Sequence, residues 1–347
     1  MDIFRTNHRN SSIELMRLIL MMFVILHHFI RILPNQTISP AIISSDILFH
    51  SAASCFIIIS GYYGIQFRLI KLLEILLFVV FYSVLLCLYA KYQYNITTWK
   101  DIVKCFLPVT NGYYWYIAIY IQLYIFAPFL NILLNKIDNK RFCFLLTSLF
   151  FLVYYIGIIR TGDTGFVGKH LQNFILLYCI GNGLKRITLR LIAYKKTIRC
   201  STMLTICIIP VIAFISICLF NYLWSYISLL FEHYHSLGLI LISIALFLFF
   251  LTFNFTNKIV NHISKSSLAI YLFHEHPFMS NYIYKDFFSS LSIDRGMVII
   301  YLALGTMLIM VVAVFIDQIR MFSFKLILPF ISQNIILPMQ CKVRNIF

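Results

Sequence analysis

Charge is scarce in this chain. Asp, Glu, Lys and Arg make up only 12% of its 347 residues, about half the share usual in a soluble domain. No polar stretch between its apolar runs is long enough to fold alone, so a separate soluble domain within the chain is not expected. Acidic residues are the scarcest, 12 against 28 Lys and Arg, for a net charge of +16. In a soluble protein that excess would suggest nucleic acid. Here the basic residues punctuate apolar blocks, so membrane topology accounts for them and no nucleic-acid partner is expected. The nine Cys stand singly, with no CxxC pair, which argues against a disulfide framework and against a metal centre. No internal repeat and no matching pair of broken helices is visible, which argues against an inverted-repeat transporter.

What the chain has in quantity is apolar surface. Hydrophobic residues fill 61% of positions, with 34 Phe and 22 Tyr, a composition suited to contact with lipid and its interfaces. A helix needs about 20 apolar residues to cross a bilayer. Ten blocks qualify: 12–33, 46–66, 69–90, 114–135, 141–159, 169–184, 202–222, 236–254, 266–284 and 297–319. The sixth is short, and the ninth is interrupted by His274, Glu275, His276 and Pro277. The expected fold is therefore all-α, a polytopic transmembrane bundle of about ten spans forming one domain over 1–347. The first block holds Glu14, Arg17, His27 and His28 and lacks a small-residue cleavage site, so it reads as a retained helix and not a signal peptide. Orientation follows from the basic loops. With both termini cytoplasmic, inner segments hold 20 of the 28 Lys and Arg, including Arg5, Arg9, Lys342 and Arg344.

An ionisable residue inside a span costs free energy and calls for a reason. Arg17 and His28 are eleven residues apart, about three helical turns plus 20°, so they share one stripe separated by ~16 Å along the axis. Glu14 sits three residues before Arg17 and can pair with it. His27 lies about 100° round the helix from His28. A phosphate-bearing donor anchored at Arg17 would place its reactive end near His28. The alternative is a snorkelling Arg and a His satisfied by a neighbouring helix.

At this point the chain resembles a known family, the acyltransferase-3 membrane proteins, which O-acylate bacterial surface glycans and some other acceptors. Their hallmark is an Arg, ten residues, then a His in the first helix, and IELMRLILMMFVILHH supplies Arg17 and His28 in that register. CFIIISGYYG, from Cys55, resembles the Ser-Gly-aromatic end of the second helix. YYWYIAIYIQLYIFAPFLN, from Tyr113, resembles a Trp-led helix with a later Pro. LLYCIGNGLKR, from Leu176, resembles a Gly-containing helix end. SKSSLAIYLFHEHPF, from Ser264, resembles the late Tyr-Leu-x-His segment. The matches run in order from about 14 to 278. The chain departs from the family in offering only Arg68 and Lys71 as a basic cluster after the second helix, and in ending without a hydrolase-like domain.

The resemblance implies an O-acyltransferase with His28 as its catalytic residue, either base or covalent relay. Arg17 would bind donor phosphate, which suits an always-charged fork, or serve as a topology-setting Arg paired with Glu14. Arg68 and Lys71 either contact the donor's nucleotide or mark the inner face. Ser60 and Tyr62, flanking Gly61, either line the site or belong to a small-residue helix crossing. Trp115 either stacks on a sugar or sits in the aromatic belt. Tyr271, His274 and Glu275 either line the site or complete a polar network. No metal is expected, since His274 and His276 have no matching ligand set. No bound cofactor is expected; acetyl-CoA would be the donor substrate, and a surface polysaccharide or lipid-linked glycan the acceptor, in a bacterial plasma membrane. The rival is a transporter, flippase or polymerase for lipid-linked polysaccharide; a third reading is a non-catalytic export subunit.

Overall fold

The computed structural model describes residues 10–33, 39–94, 98–159, 168–219, 231, 233–280, 284 and 297–331. The chain termini, and with them Arg5, Arg9, Lys342 and Arg344 of the topology argument, lie outside these residues. Among the described residues every regular element is a helix. They are α1 (Ser11–Ile32), α2 (Pro40–His50), α3 (Ala52–Tyr63), α4 (Leu69–Tyr94), α5 (Trp99–Phe106), α6 (Trp115–Lys136) and α7 (Asn139–Ile159). After them come α8 (Leu171–Ala193), α9 (Lys195–Leu219), α10 (Leu237–Leu251), α11 (Lys258–Ile263), α12 (Ser267–Glu275) and α13 (Val298–Ile331).

The helices start where polar side chains can take the unpaired N–H groups of a first turn. Asn10 caps α1 by accepting from the Ser12 N–H at 3.0 Å. Ser39 caps α2, with Pro40 directly behind it. Ser236 caps α10 and Asn257 caps α11. The expected second span is two helices, not one, because the chain turns at Ser51 between α2 and α3. Ser243 of α10 holds that turn by donating to the Ser51 carbonyl at 3.1 Å.

Six helical segments among the described residues are long and apolar enough to cross a membrane: Ser11–Ile32, Pro40–Tyr63, Leu69–Gln93, Trp115–Lys136, Lys195–Leu219 and Val298–Lys325. Ten were expected. The remaining four blocks hold α7, α8, α10 and α12, of which α10 has 15 residues and α12 only nine. α12 falls short for a local reason. The residue before a proline is pushed out of the helical region, and His276, preceding Pro277, has φ −60° and ψ 134°. The helix therefore stops at Glu275. Between the third and fourth expected spans lies the short helix α5, opened by a reciprocal Thr98–Asp101 capping box.

α1 runs through the centre and packs against α2, α3, α10, α11, α12 and α13. Two buried clusters share it. One joins it to α3, α6, α8 and α10, and the other to α4, α12 and α13. The first is organised by the α3–α8 crossing, where Gly61 and Gly181 bring two backbones into contact. Beside it, the Tyr178 hydroxyl accepts from the Ile65 N–H (2.9 Å) and donates to Asn131 (2.7 Å), whose amide donates to the Ile65 carbonyl (2.8 Å). Arg186 closes one end of this region. It donates to the carbonyls of Leu134 and Ile137 at the end of α6, and its guanidinium lies 4.1 Å over the Phe142 ring.

Candidate functional site

A cavity of about 480 Å³ runs along one side of α1, between α2, α3, α6 and α12. Its lining includes Glu14 and Arg17 towards the start of α1 and His27 and His28 towards its end. At 1.5 Å per residue the 14 positions from Glu14 to His28 span ~21 Å. The stripe expected from helical period is thus the wall of a continuous space.

At the first end, Arg17 Nη1 donates to both oxygens of Glu14, at 3.2 and 3.4 Å. Glu14 is buried, and its Oε2 also accepts from Ser264 Oγ at 2.7 Å. The carboxylate therefore fixes Arg17, while the remaining guanidinium donors have no partner among the described residues. Lys265, on the turn before α12, lines the same end. Two cations and one carboxylate leave a net positive mouth.

At the other end, His28 Nδ1 lies 2.8 Å from Glu275 Oε2. Glu275 can reach it because α12 stops there. A histidine bonded to a carboxylate through Nδ1 presents Nε2 as the free nitrogen, the arrangement in which imidazole works as a base. His274 packs its ring 5.1 Å from His28, wholly buried. Its Nδ1 is 2.7 Å from the Ile270 carbonyl, so it carries the proton there, and Nε2 has no hydrogen-bond partner. His28, His274 and Glu275 offer ligand atoms within 4.8 Å of one another and could by residue type surround a metal ion. Sequence spacing does not show this set, because residue 28 is far from the other two. The His28–Glu275 contact already pairs two of its three members.

The other expected site residues divide. Ser60, Trp115 and Tyr271 line the cavity. Ser60 Oγ donates to the Phe56 carbonyl at 2.9 Å, and Lys169 Nζ sits 4.8 Å over the Trp115 ring. Tyr62 lies off the cavity, its hydroxyl accepting from Thr188 at 3.1 Å. Gly61 is a helix-crossing residue. Arg68 and Lys71 also lie away from the cavity lining: both are exposed, and Lys71 pairs with Glu74 at 2.6 Å.

Several residues at the site were missed by sequence reading: His50, Tyr116, Tyr120, Tyr234 and Lys265, which line the cavity, and Asp46, which stands behind His27. Asp46 carried a usable signal. It is the sole acid in the apolar run 39–66, where an ionisable group is a functional candidate by default. His27, expected to point away from the stripe, also lines the cavity, its ring centroid 5.6 Å from that of His28. The cavity is wide enough to reach both faces.

A second cavity of about 530 Å³ lies between α4 and α13, lined by Phe81, Leu86, Phe273, Leu308, Ile309 and similar residues. It holds no charged or imidazole side chain and so no acid–base chemistry.

No curated protein and no solved structure matches the chain. A family profile does. That of the acyltransferase-3 family, described as an acyltransferase domain, matches residues 10–317, which contain α1, the cavity and both of its ends. The chain belongs to the acyltransferase-3 family and is a multi-pass membrane acyltransferase.

Proposed function

We propose that this protein is an O-acetyltransferase that takes the acetyl group of cytoplasmic acetyl-CoA and places it on a hydroxyl of a surface polysaccharide or its lipid-linked precursor. The observation that carries the reading is the single cavity joining Arg17 to the His28–Glu275 pair. Acetyl-CoA is a polyanionic nucleotide on a long, thin, nearly neutral arm ending in a thioester. The positive mouth formed by Arg17 and Lys265 suits the phosphates. The passage beyond it suits the arm. His28, roughly 16 Å further along α1, meets the thioester.

In the transfer, the acceptor oxygen attacks the thioester carbonyl, the C–S bond breaks and CoA leaves as thiolate. His28 Nε2 takes the hydroxyl proton, and Glu275 stabilises the imidazolium through Nδ1. If His28 first carries the acetyl group itself, Nε2 attacks the thioester carbonyl and CoA leaves as thiolate; the acceptor hydroxyl then attacks the acetyl-imidazole, the C–N bond breaks, and the released Nε2 takes up the hydroxyl proton. His274 Nε2, unpartnered beside this pair, adds an acceptor for a proton or a water.

The test is acetyl transfer by the purified protein in detergent, followed by CoA release and by label from acetyl-labelled acetyl-CoA. Sustained CoA release with label in glycan supports the reading. No turnover with either readout, together with glycan movement across vesicles, would return the chain to the transporter class.

Arg17 gives a separate prediction. Arg17→Lys keeps the charge but loses the planar fork, so it should retain part of the activity with a raised KM for acetyl-CoA. Arg17→Ala should raise that KM further. A change confined to the acceptor's KM would remove Arg17 from the donor site. Loss of folded protein in both variants would reduce Arg17 to the partner of Glu14.

A further inference from the structure

A second histidine–carboxylate pair, which the reaction above does not use, meets the cavity through its histidine. His27 Nδ1 lies 2.7 Å from Asp46 Oδ1. Both residues are buried, and both sit within membrane-spanning segments. Arg31, one turn further along α1, approaches the other carboxylate oxygen at 3.6 Å. His28 has its own carboxylate, so Asp46 is not needed to orient it. A buried acid in a span costs free energy, and here it fixes one imidazole in one tautomer. The Nδ1 contact makes that nitrogen the donor and leaves His27 Nε2 as an acceptor in a cavity-lining ring.

A chain of flat rings runs on from His27. His50 stacks on His27 with centroids 4.3 Å apart and planes 11° apart. Tyr234 meets His50 edge-on at 4.1 Å and leans on Trp115 at 5.0 Å. All four line the same cavity as His28. Sugars present apolar C–H faces together with hydroxyl donors. Aromatic planes meet the first, and uncharged imidazole nitrogens meet the second. Arg17 and Lys265 lie at the opposite end, and the cations at this end are already engaged: Arg31 with Asp46 at 3.6 Å, and Lys169 over the Trp115 and Tyr234 rings at 4.8 and 5.9 Å.

We propose that His27, Asp46 and His50, with Tyr234 and Trp115, form the acceptor subsite, in which His27 Nε2 accepts a hydrogen bond from a sugar hydroxyl beside His28. This rests on the transfer reaction proposed above. His27 is thereby a substrate-binding residue, and Asp46 a positioning residue that acts through it.

The experiment separates donor and acceptor functions in the full chain. Acetyl-labelled acetyl-CoA is the donor, and membrane vesicles from the cell that makes the protein supply the glycan. Two rates are read: label entering the glycan, and CoA released to water without vesicles. His27→Gln and Asp46→Asn are expected to lower glycan labelling by about tenfold, the scale of one lost hydrogen bond to a bound substrate. The KM for acetyl-CoA should stay within about twofold, and CoA release to water should fall less than glycan labelling. His50→Phe keeps a flat ring without its nitrogens, so it should raise the vesicle concentration needed for half-maximal labelling and leave the donor's KM alone. Undiminished glycan labelling in His27→Gln would overturn the proposal. So would an equal fall in both rates, or a lowered melting temperature in Asp46→Asn, which would make the pair a clasp between α1 and α2. Full activity in a His28 variant would instead remove the reaction itself.

Discussion

His28→Ala is expected to abolish acetyl transfer while leaving the amount of membrane-inserted protein nearly unchanged. An imidazole that accepts a proton in the transition state is typically worth about a hundredfold to ten-thousandfold in rate. Alanine cannot replace it, and neither can the neighbours in their present geometry. His27 is bonded to Asp46, and His274 is bonded to its own helix through Nδ1. Insertion should survive, because Ala costs less in hydrocarbon than His. Glu275→Gln tests the partner. It keeps a hydrogen-bond acceptor for Nδ1 but removes the negative charge that stabilises an imidazolium, so the loss should be smaller than that of His28→Ala and should fall on kcat more than on KM. Wild-type turnover of His28→Ala in detergent would sink the assignment. A His28→Ala protein that fails to accumulate would shift the question to Glu275→Gln, where the packing is nearly unchanged.

The Arg17–His28 wall was legible in the sequence because it lies on one helix, where period alone decides which residues share a face. The late segment was legible as a motif but not as a geometry. That Glu275 meets His28 depends on α12 stopping at a proline and on its packing beside α1. Both are tertiary facts, reached across more than 240 residues of chain. The same distance hid the set His28, His274 and Glu275. The span count is met only in part among the described residues, for a related reason. Hydropathy reads apolar length, whereas α10 and α12 are short helices buried against others and owe their apolarity to packing within the bundle. Asp46 was visible as a lone acid in an apolar run, yet its partner His27 had been placed on a different face. Rotation by 100° separates two side chains on a cylinder. It does not separate them in a cavity wide enough to receive both.

Gly61→Leu and Gly181→Leu are expected to leave no folded protein, the largest effect of any substitution away from the reaction centre. α3 and α8 cross with almost no side chain between them. A Cβ on Gly61 would overlap the Tyr178 carbonyl oxygen, and one on Gly181 would overlap the Ile58 carbonyl oxygen and lie 2.8 Å from the Tyr62 nitrogen. These neighbours are backbone atoms inside helices, so they cannot swing aside as a side-chain end would. Overpacking a core usually costs about 1–3 kcal/mol when side chains can adjust. Here relief requires moving one helix bodily, which also strains the Tyr178–Asn131–Ile65 network beside the crossing. Even Gly61→Ala should lower the detergent melting temperature measurably. Gly183 supplies the comparison on the same helix. Its Cβ would meet the Phe142 ring at 3.0 Å, a side chain that can tilt, so Gly183→Ala should be the mildest of the three alanine variants. Fluorescence-detected size-exclusion chromatography across the five variants reads the ranking directly. If Gly61→Leu and Gly181→Leu elute as wild type, the crossing is not a close one. The Ser-Gly-aromatic segment would then need a role at the cavity, through Ser60, which already lines it.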